Sequence, residues 1–171
     1  DGAMLALAML LEAEPPRLVR AMAEYYLPTI PFFNVLLHRG GSVVGTPENC
    51  AQLLEHDEAV MVFPEGARGF VKPYSKRYEL QSFGLGFMRL ALETDTPIVP
   101  IGIVGSEEQS PGLADVKALG RLVGSPAFPI TPLFPWLGPL GFLPLPVKFR
   151  IRFGAPLHFE GAAHDEDAAI E

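Results

Sequence analysis

Two apolar runs with an amphipathic segment between them constrain the fold of this chain more than any other feature. Residues 59–63, Ala-Val-Met-Val-Phe, lie between acidic residues and a Pro-Glu-Gly turn, as in a strand buried on both faces. Apolar residues from Phe83 to Ala91 recur at helical spacing, and residues 98–104 form the second run. A strand, a helix and a strand in this order predict a right-handed βαβ unit. We therefore expect an α/β fold with a largely parallel, mixed sheet flanked by helices.

Helix and strand signals elsewhere in the chain agree with this fold class. The Ala- and Leu-rich segment 2–13 predicts a buried helix with Asp1 at its N-cap. Alternating charged and apolar residues at 148–153 predict a strand with one covered face. The other predicted elements are a strand at 17–23, a helix at 32–38 and a helix that starts at Thr46-Pro47-Glu48 and runs to about His56. Because 171 residues suffice for one sizeable core, we expect one domain over residues 1–171.

The charge and the cysteine content argue against several classes of function. The net charge is −7, and affinity for nucleic acid depends on clustered cations, so we expect no nucleic-acid partner. Cys50 is the only cysteine, which excludes an intrachain disulfide and a thiolate metal cluster. The four histidines lack the spacing of a metal site, and the chain has neither a GxSxG nucleophile elbow nor a Walker-type loop. Metal, serine-hydrolase and nucleotide-hydrolase functions therefore have no support in the sequence.

The turn after the first apolar run carries the residues best suited to chemistry. Ligands bind beyond the carboxyl ends of strands in parallel α/β sheets, and residues 63–68, Phe-Pro-Glu-Gly-Ala-Arg, lie at such an end. Proline and glycine predict a sharp turn there that presents Glu65 and Arg68 together. A guanidinium suits bidentate phosphate binding. On spacing alone, a solvated ion pair between the two side chains is the simpler interpretation.

The wider pattern resembles the PlsC-like lysophospholipid acyltransferases. Residues 63–68 resemble the FPEGTR motif of that family, with Ala67 in place of threonine, and residues 98–101, Ile-Val-Pro-Ile, resemble the VP strand motif that follows it. Residues 154–157, Gly-Ala-Pro-Leu, resemble a short GxPI-like segment near the end of the domain. Asp1, followed by an apolar helix, is similar to the last residue of the family's HxxxxD motif. The resemblance spans nearly the whole chain and implies a glycerol-3-phosphate acyltransferase-like fold.

The resemblance also implies a reaction and a role for each site residue. A fatty acyl group would move from acyl-CoA or acyl-carrier protein to a hydroxyl of a glycerolipid such as 1-acyl-glycerol-3-phosphate, with no cofactor or metal. A histidine five residues before Asp1 would be the general base, and Asp1 would orient it. We therefore expect residues 1–171 to be an acyltransferase domain that is truncated at its N-terminus and also at its C-terminus. A chain that starts at Asp1 lacks this histidine and is expected to be inactive. Arg68 would bind the acceptor phosphate, and Glu65 would orient the turn or the acceptor. Gly66 and Pro100 complete the implied substrate-binding residues.

Two departures from the family pattern leave the acceptor open. Residues 39–45 match the family's second motif, a strand that ends in arginine, only loosely. Residues 86–92 and 105–108 resemble the diacylglycerol acyltransferase-like branch, so a neutral lipid is an alternative acceptor. A non-catalytic lipid-binding module is the alternative from another class, and a lipid hydrolase is disfavoured because no nucleophile is evident.

Two regions outside the motifs predict contact with lipids or with the acyl donor. Lys72, Lys76 and Arg77 either contact the phosphates of coenzyme A or of lipid head groups, or belong to a solvated loop. Residues 122–147 carry no charge, but seven prolines interrupt them and oppose a membrane-spanning helix. Trp136 and its apolar neighbours favour the bilayer interface, and a loop packed over the sheet is the alternative. We therefore expect peripheral association with a membrane at its cytoplasmic face.

Overall fold

The chain folds into two compact units, each made of segments that are separate in the sequence. A computed structural model describes residues 1–25, 27–29, 33–66, 69, 72–115 and 128–165. The first unit comprises Asp1–Pro64, Phe83–Gly102 and Arg152–Glu171, and the second comprises Glu65–Ser82 and Ile103–Ile151. The chain therefore passes from the first unit to the second inside the Pro-Glu-Gly turn.

A parallel three-stranded sheet lies in the first unit. Its strands are β1 (Val19–Ala23), β2 (Val43–Val44) and β3 (Ala59–Met61), in the order β2-β1-β3. In the register, Val19 pairs with Ala59 and Met22 pairs with Val43. Parallel strands need crossover connections, and helices supply them here between β1 and β2 and between β2 and β3. This arrangement confirms the predicted α/β fold class.

Among the described residues, four helices belong to the first unit, and three of them share a small core with two of the strands. They are α1 (Gly2–Leu11), α2 (Phe33–Arg39), α3 (Pro47–Glu55) and α4 (Gly86–Thr94). Helix α1 packs against β1, and α3 packs against β3 and α4. Five elements each contribute one buried apolar side chain, namely Leu5 of α1, Ala23 of β1, Cys50 of α3, Met61 of β3 and Ala91 of α4. The stability of the first unit therefore depends on all five elements packing together.

A bidentate ion pair reinforces the pairing of β1 with β3. Arg20 of β1 donates from Nε and from one terminal nitrogen to the two carboxylate oxygens of Glu58, at 3.2 Å each. Glu58 is the residue before β3, and Arg20 pairs with Val60 in the register. The hydrogen bond from Arg20 holds the pKa of the Glu58 carboxyl below its ordinary value. The charged pair thus fixes the end of the sheet opposite the candidate turn.

Two predicted elements are more exposed than the sequence indicates. Helix α1 buries Leu5, but its other three leucines are exposed, because a helix packed on one strand covers a single stripe of its surface. Strand β3 ends at Met61, so Phe63 lies beyond the strand and is exposed. The prediction of a strand buried on both faces is wrong here, since β3 lies at an edge of the three-stranded sheet.

The second predicted apolar strand begins later and pairs differently than expected. Strand β4 (Ile101–Val104) forms a two-stranded sheet with β7 (Arg150–Phe153), so the predicted βαβ pairing with β3 is wrong. The strand starts after Pro100 because proline has no backbone N–H to donate. A strand does form within the predicted segment 148–153, but β7 begins only at Arg150.

The second unit is built from short elements. It contains α5 (Ser106–Gln109) and an antiparallel pair, β5 (Ala114–Asp115) with β6 (Pro129–Ile130). In the uncharged segment, Thr131 is buried, and its hydroxyl donates to the Gly141 carbonyl at 2.6 Å and accepts from the Phe134 N–H at 3.2 Å. These bonds hold the proline-rich turn that precedes a short 3-10 helix, Gly138–Phe142. In the part of the chain that the structure describes, no helix is long and apolar enough to cross a membrane.

Helix α3 begins as the sequence predicts, and its cap gives a test of the fold. Thr46 is the N-cap, and its side-chain oxygen accepts from the Asn49 N–H at 3.0 Å. Thr46→Ala removes this bond and should lower the free energy of unfolding by about 1 kcal/mol. Thr46→Ser keeps the hydroxyl and should behave like the parent chain in urea denaturation. Equal stability of the alanine and serine variants would contradict the capping role.

Candidate functional site

Two of the motif segments pair with each other in the first unit. Ile98 and Leu157 exchange backbone hydrogen bonds of 2.9 and 2.8 Å, and the Gly154 N–H donates to the Pro100 carbonyl at 2.8 Å. A Cβ on Gly154 would lie 2.8 Å from Cγ of Pro100 and 3.2 Å from its carbonyl oxygen. The Val-Pro segment and the Gly-Ala-Pro-Leu segment can therefore approach only because residue 154 is glycine.

This close approach predicts that alanine lowers the stability of the protein at Gly154 but not at Gly102. Gly154→Ala should lower the free energy of unfolding by about 1–3 kcal/mol, because the added methyl group overlaps Pro100. A Cβ on Gly102 would meet nothing within 4 Å, so Gly102→Ala is the matched control and should change stability by at most about 0.5 kcal/mol. Urea denaturation of both variants measures the difference. A stable Gly154→Ala protein would show that the two segments separate easily.

The start of α1 lies beside the end of β3, also in the first unit. A Cβ on Gly2 would be 3.6 Å from Cε of Met61 and 3.8 Å from the nearest ring atom of Phe63, which is van der Waals contact. Asp1 is the N-cap residue of α1, as predicted, but its carboxylate makes no capping hydrogen bond and is exposed. Gly2, the residue after Asp1, thus lies against the first residue of the Phe-Pro-Glu-Gly motif, and the Asp1 carboxylate does not cap the helix.

The Pro-Glu-Gly segment forms the sharp turn that its sequence predicts. The Pro64 carbonyl accepts from the Gly84 N–H at 3.0 Å. Gly66 has φ of 55°, in the left-handed region that glycine adopts without steric cost. Its carbonyl accepts from the Gly69 N–H at 3.2 Å. The backbone therefore closes on itself directly after the glutamate.

The carboxylate of Glu65 is held by the backbone of its own loop. One oxygen accepts from the Gln81 N–H at 2.9 Å, and a Cβ on Gly69 would lie 2.6 Å from the other oxygen. Arg68, which the sequence places next to Glu65, lies outside the described residues, so the predicted pairing of the two stays a prediction. The described contacts orient Glu65 without an ion pair.

Two residues at this turn were missed by reasoning from the sequence. Gln81 acts through its backbone N–H, and a backbone donor leaves no signature in residue type. Gly69 did carry a usable signal, because a glycine often marks a place where another group approaches the backbone closely. Here that group is the carboxylate of Glu65.

The basic residues after the turn have different environments. Lys72 pairs with Glu107 and donates to the Glu79 carbonyl at 2.8 Å, and its side chain is only 9% exposed. Lys72 therefore belongs neither to a solvated loop nor to a free phosphate-binding cluster. Arg77 stacks on Tyr74, with its guanidinium carbon 4.9 Å from the ring centroid. Lys76 is exposed and remains a candidate for contact with an anionic group.

The implied site residues are divided between the two units. Asp1 and Pro100 lie in the first unit, and Glu65 and Gly66 lie in the second. Among the described residues, no group of three His, Cys, Asp or Glu side chains is arranged to hold a metal ion.

Comparison with known proteins places these motifs in context. A family model described as Acyltransferase matches residues 1–104. The chain is 44% identical over 169 residues to an uncharacterized protein of Mycobacterium leprae (strain TN), covering 98% of the chain and 46% of that protein. It is 45% identical over 158 residues to an uncharacterized protein of Mycobacterium tuberculosis (strain ATCC 25618 / H37Rv), covering 92% and 44%.

A more distant group of relatives carries a functional name. The chain is 24% identical over 153 residues to the human "DGAT1/2-independent enzyme synthesizing storage lipids", covering 90% of the chain and 45% of that protein. The chain spans less than half the length of these curated relatives. No solved structure matches it.

Proposed function

Because this chain belongs to the acyltransferase family, we propose that it transfers a fatty acyl group from acyl-CoA or acyl-carrier protein to a hydroxyl of a glycerolipid. The contact of Gly2 with Phe63 is the observation that carries the proposal. Because Asp1 precedes Gly2, this contact brings residue 1 near the end of β3, after which the Pro-Glu-Gly turn begins. Ligands of parallel α/β sheets bind at such strand ends, so a base oriented by Asp1 would lie where an acceptor is expected.

The proposed reaction needs a hydroxyl that becomes nucleophilic near neutral pH. A histidine five residues before Asp1 would take the hydroxyl proton, because an imidazole with a pKa of about 6.5 is a suitable general base. Asp1 would fix the tautomer of that histidine and stabilise the imidazolium. The acceptor oxygen then bonds to the thioester carbonyl carbon, the carbon–sulfur bond breaks, and the thiol leaves with the proton from the histidine. The free carboxylate of Asp1 at the start of α1 supports this role.

The substrate-binding roles are proposed residue by residue. Glu65 would orient the turn, which its hydrogen bond with Gln81 supports, and Gly66 gives the turn its left-handed backbone. Arg68 would bind an acceptor phosphate by resemblance to the family motif. Pro100 would border the acceptor site from the segment that pairs with Gly154.

The acceptor has two candidates. A phosphorylated glycerolipid such as 1-acyl-glycerol-3-phosphate is favoured by the Glu-Gly-Ala-Arg sequence, because an arginine suits phosphate. A neutral glycerolipid is the second candidate, and the printed name of the storage-lipid relatives supports it. A lipid-binding module without catalysis is the alternative from another class.

Acyl transfer by the full-length protein separates these candidates. The assay uses a long-chain acyl-CoA with either lysophosphatidate or diacylglycerol as acceptor. Arg68→Ala should reduce kcat/KM for lysophosphatidate by roughly 10- to 100-fold, because a charge-assisted contact with phosphate contributes about 1.5–3 kcal/mol, and should spare the neutral acceptor. Arg150→Ala, which changes an exposed arginine of β7, is the control.

Each outcome of this assay has a distinct meaning. An equal loss on both acceptors would make Arg68 a structural residue. Transfer to diacylglycerol alone would favour the neutral-lipid enzyme. Binding of lipid without transfer to either acceptor would leave the lipid-binding module.

We also propose that the protein works at a membrane surface, at the cytoplasmic face, and the exposed apolar side chains of residues 128–147 support the contact with a membrane. Trp136 is 86% exposed, and Leu137, Leu140 and Leu143 are each more than half exposed. Tryptophan and leucine side chains on a proline-rich turn can enter the bilayer interface while the backbone stays hydrated. Both the acceptor and the product of the proposed reaction are lipids, so such a surface would let acyl chains enter the site without crossing water.

Trp136 also reports on this surface, because it is the only tryptophan of the chain. Its emission should shift to the blue when phosphatidylcholine vesicles, with or without phosphatidylglycerol, are added, and the protein should co-sediment with them. Leu140→Ser should weaken co-sedimentation, and Leu80→Ser, an exposed leucine away from this segment, is the control. Unchanged emission and no co-sedimentation would exclude membrane contact through Trp136.

A further inference from the structure

Two glutamates of α5 hold the loop that follows the Pro-Glu-Gly turn. One carboxylate oxygen of Glu107 accepts from the Lys72 ammonium, and the other accepts from the Tyr78 backbone N–H. The neighbouring Glu108 accepts from the Tyr78 phenol. All of these residues belong to the second unit. Two adjacent side chains thus make three contacts with a single loop, and the proposed reaction does not yet use them.

The contacts fix groups that would otherwise be costly to keep in place. The Lys72 side chain is 9% exposed, so removal of the Glu107 carboxylate would leave an ammonium group with little access to water. Tyr78 has φ of 62°, a conformation that bulky residues adopt only when their surroundings enforce it. The hydrogen bond with Glu108 raises the pKa of Tyr78, as expected for a phenol that donates to a carboxylate.

The short helix that carries the glutamates is itself fixed at both ends. Gly105 has φ of 105°, and a Cβ there would lie 2.4 Å from the Lys148 carbonyl oxygen. At the other end, the Gln109 carbonyl accepts from the Leu145 N–H at 2.8 Å. Helix α5 is therefore held at both ends by other segments of the second unit, so its glutamates can hold the loop in place.

The held loop ends at the donor that orients Glu65. Gln81 follows Tyr78 by three residues, and its N–H donates to the Glu65 carboxylate at 2.9 Å. We propose that Glu107 and Glu108 are positioning residues of the acyl-transfer site, which hold residues 72–81 so that the Gln81 N–H sets the carboxylate of Glu65. The proposal rests on the proposed function for its catalytic consequence. Its structural part, that α5 fixes the position of Gln81, can be tested independently.

Amide hydrogen exchange in the full-length protein tests the structural part. Glu107→Gln should speed exchange of the Gln81 amide by about tenfold or more, with protection in β1 and β3 unchanged, because only the loop loses its support. Tyr78→Phe, which removes only the bond with Glu108, should have a smaller effect in the same direction. Glu93→Gln, on an exposed glutamate of α4, is the matched control. Unchanged exchange at Gln81 in both loop variants would overturn the proposal, whatever the activity.

If the unpaired ammonium prevents folding of Glu107→Gln, a compensating variant keeps the test decisive. Lys72→Met/Glu107→Gln removes both charges and leaves an amide oxygen that can still accept from the Tyr78 N–H. This double variant should fold, and because it lacks the charge pair, exchange at Gln81 should stay faster than in the parent protein. Slow, parent-like exchange in a folded double variant would show that Glu107 does not hold the loop and would overturn the proposal.

A double-mutant cycle tests the catalytic part. Glu107→Gln alone should lower kcat/KM for acyl transfer by about tenfold, and it should cause little further loss in a Glu65→Gln background, because both changes act on the same carboxylate. Additive losses would overturn the link from Glu107 to Glu65. Absence of transfer by the parent protein with every acceptor would refute the proposed function and the catalytic part, while the exchange measurements would still decide the structural part.

Discussion

The hydrogen bond from the Gln81 N–H to the Glu65 carboxylate is the interaction on which the candidate site depends. A glutamate in a surface turn is normally free to rotate in water, and ordering it costs side-chain entropy. Here a charge-assisted bond of 2.9 Å fixes one oxygen, and the missing side chain of Gly69 leaves room for the other. The left-handed backbone at Gly66 lets the chain turn back toward this donor. Loss of the Gln81 N–H, of the space at Gly69 or of the left-handed backbone at Gly66 would release the Glu65 carboxylate.

The motifs that suggest an acyltransferase are also the segments that touch within the first unit. Gly2 lies against Phe63, and the Val-Pro segment pairs with the segment that begins at Gly154. Glycine is required for the second approach, because a Cβ on Gly154 would lie 2.8 Å from Cγ of Pro100. The resemblance in sequence and the match of residues 1–104 to the family therefore have a physical counterpart in packing.

The first unit has a small core to which several helices and strands contribute. Five elements contribute one buried apolar side chain each, so no single helix or strand carries the stability. The exposed leucines of α1 and the exposed Trp136 segment show that much apolar surface remains outside the described cores. In a protein whose proposed substrates are lipids, such surface is consistent with contact with a bilayer.

Several local elements and the candidate turn could be predicted from neighbouring residues in the sequence. Thr46 and Pro47 define the start of α3, and proline with glycine defines the bend at Glu65, because capping and turn chemistry depend on neighbouring residues. The fold class also followed, since the spacing of apolar residues records which elements can pack.

The pairing of distant segments became visible in the folded protein alone. Strand β4 is apolar and follows β3 and a helix, which predicts that it joins the sheet of β3, yet it pairs with β7. Lys72 lies in a charged stretch that is typical of a surface loop, yet its side chain is only 9% exposed and pairs with Glu107. The donor to Glu65 is a backbone N–H, which every residue except proline carries. These features depend on contacts between residues far apart in the chain, and such contacts leave no periodic or local signal in the sequence.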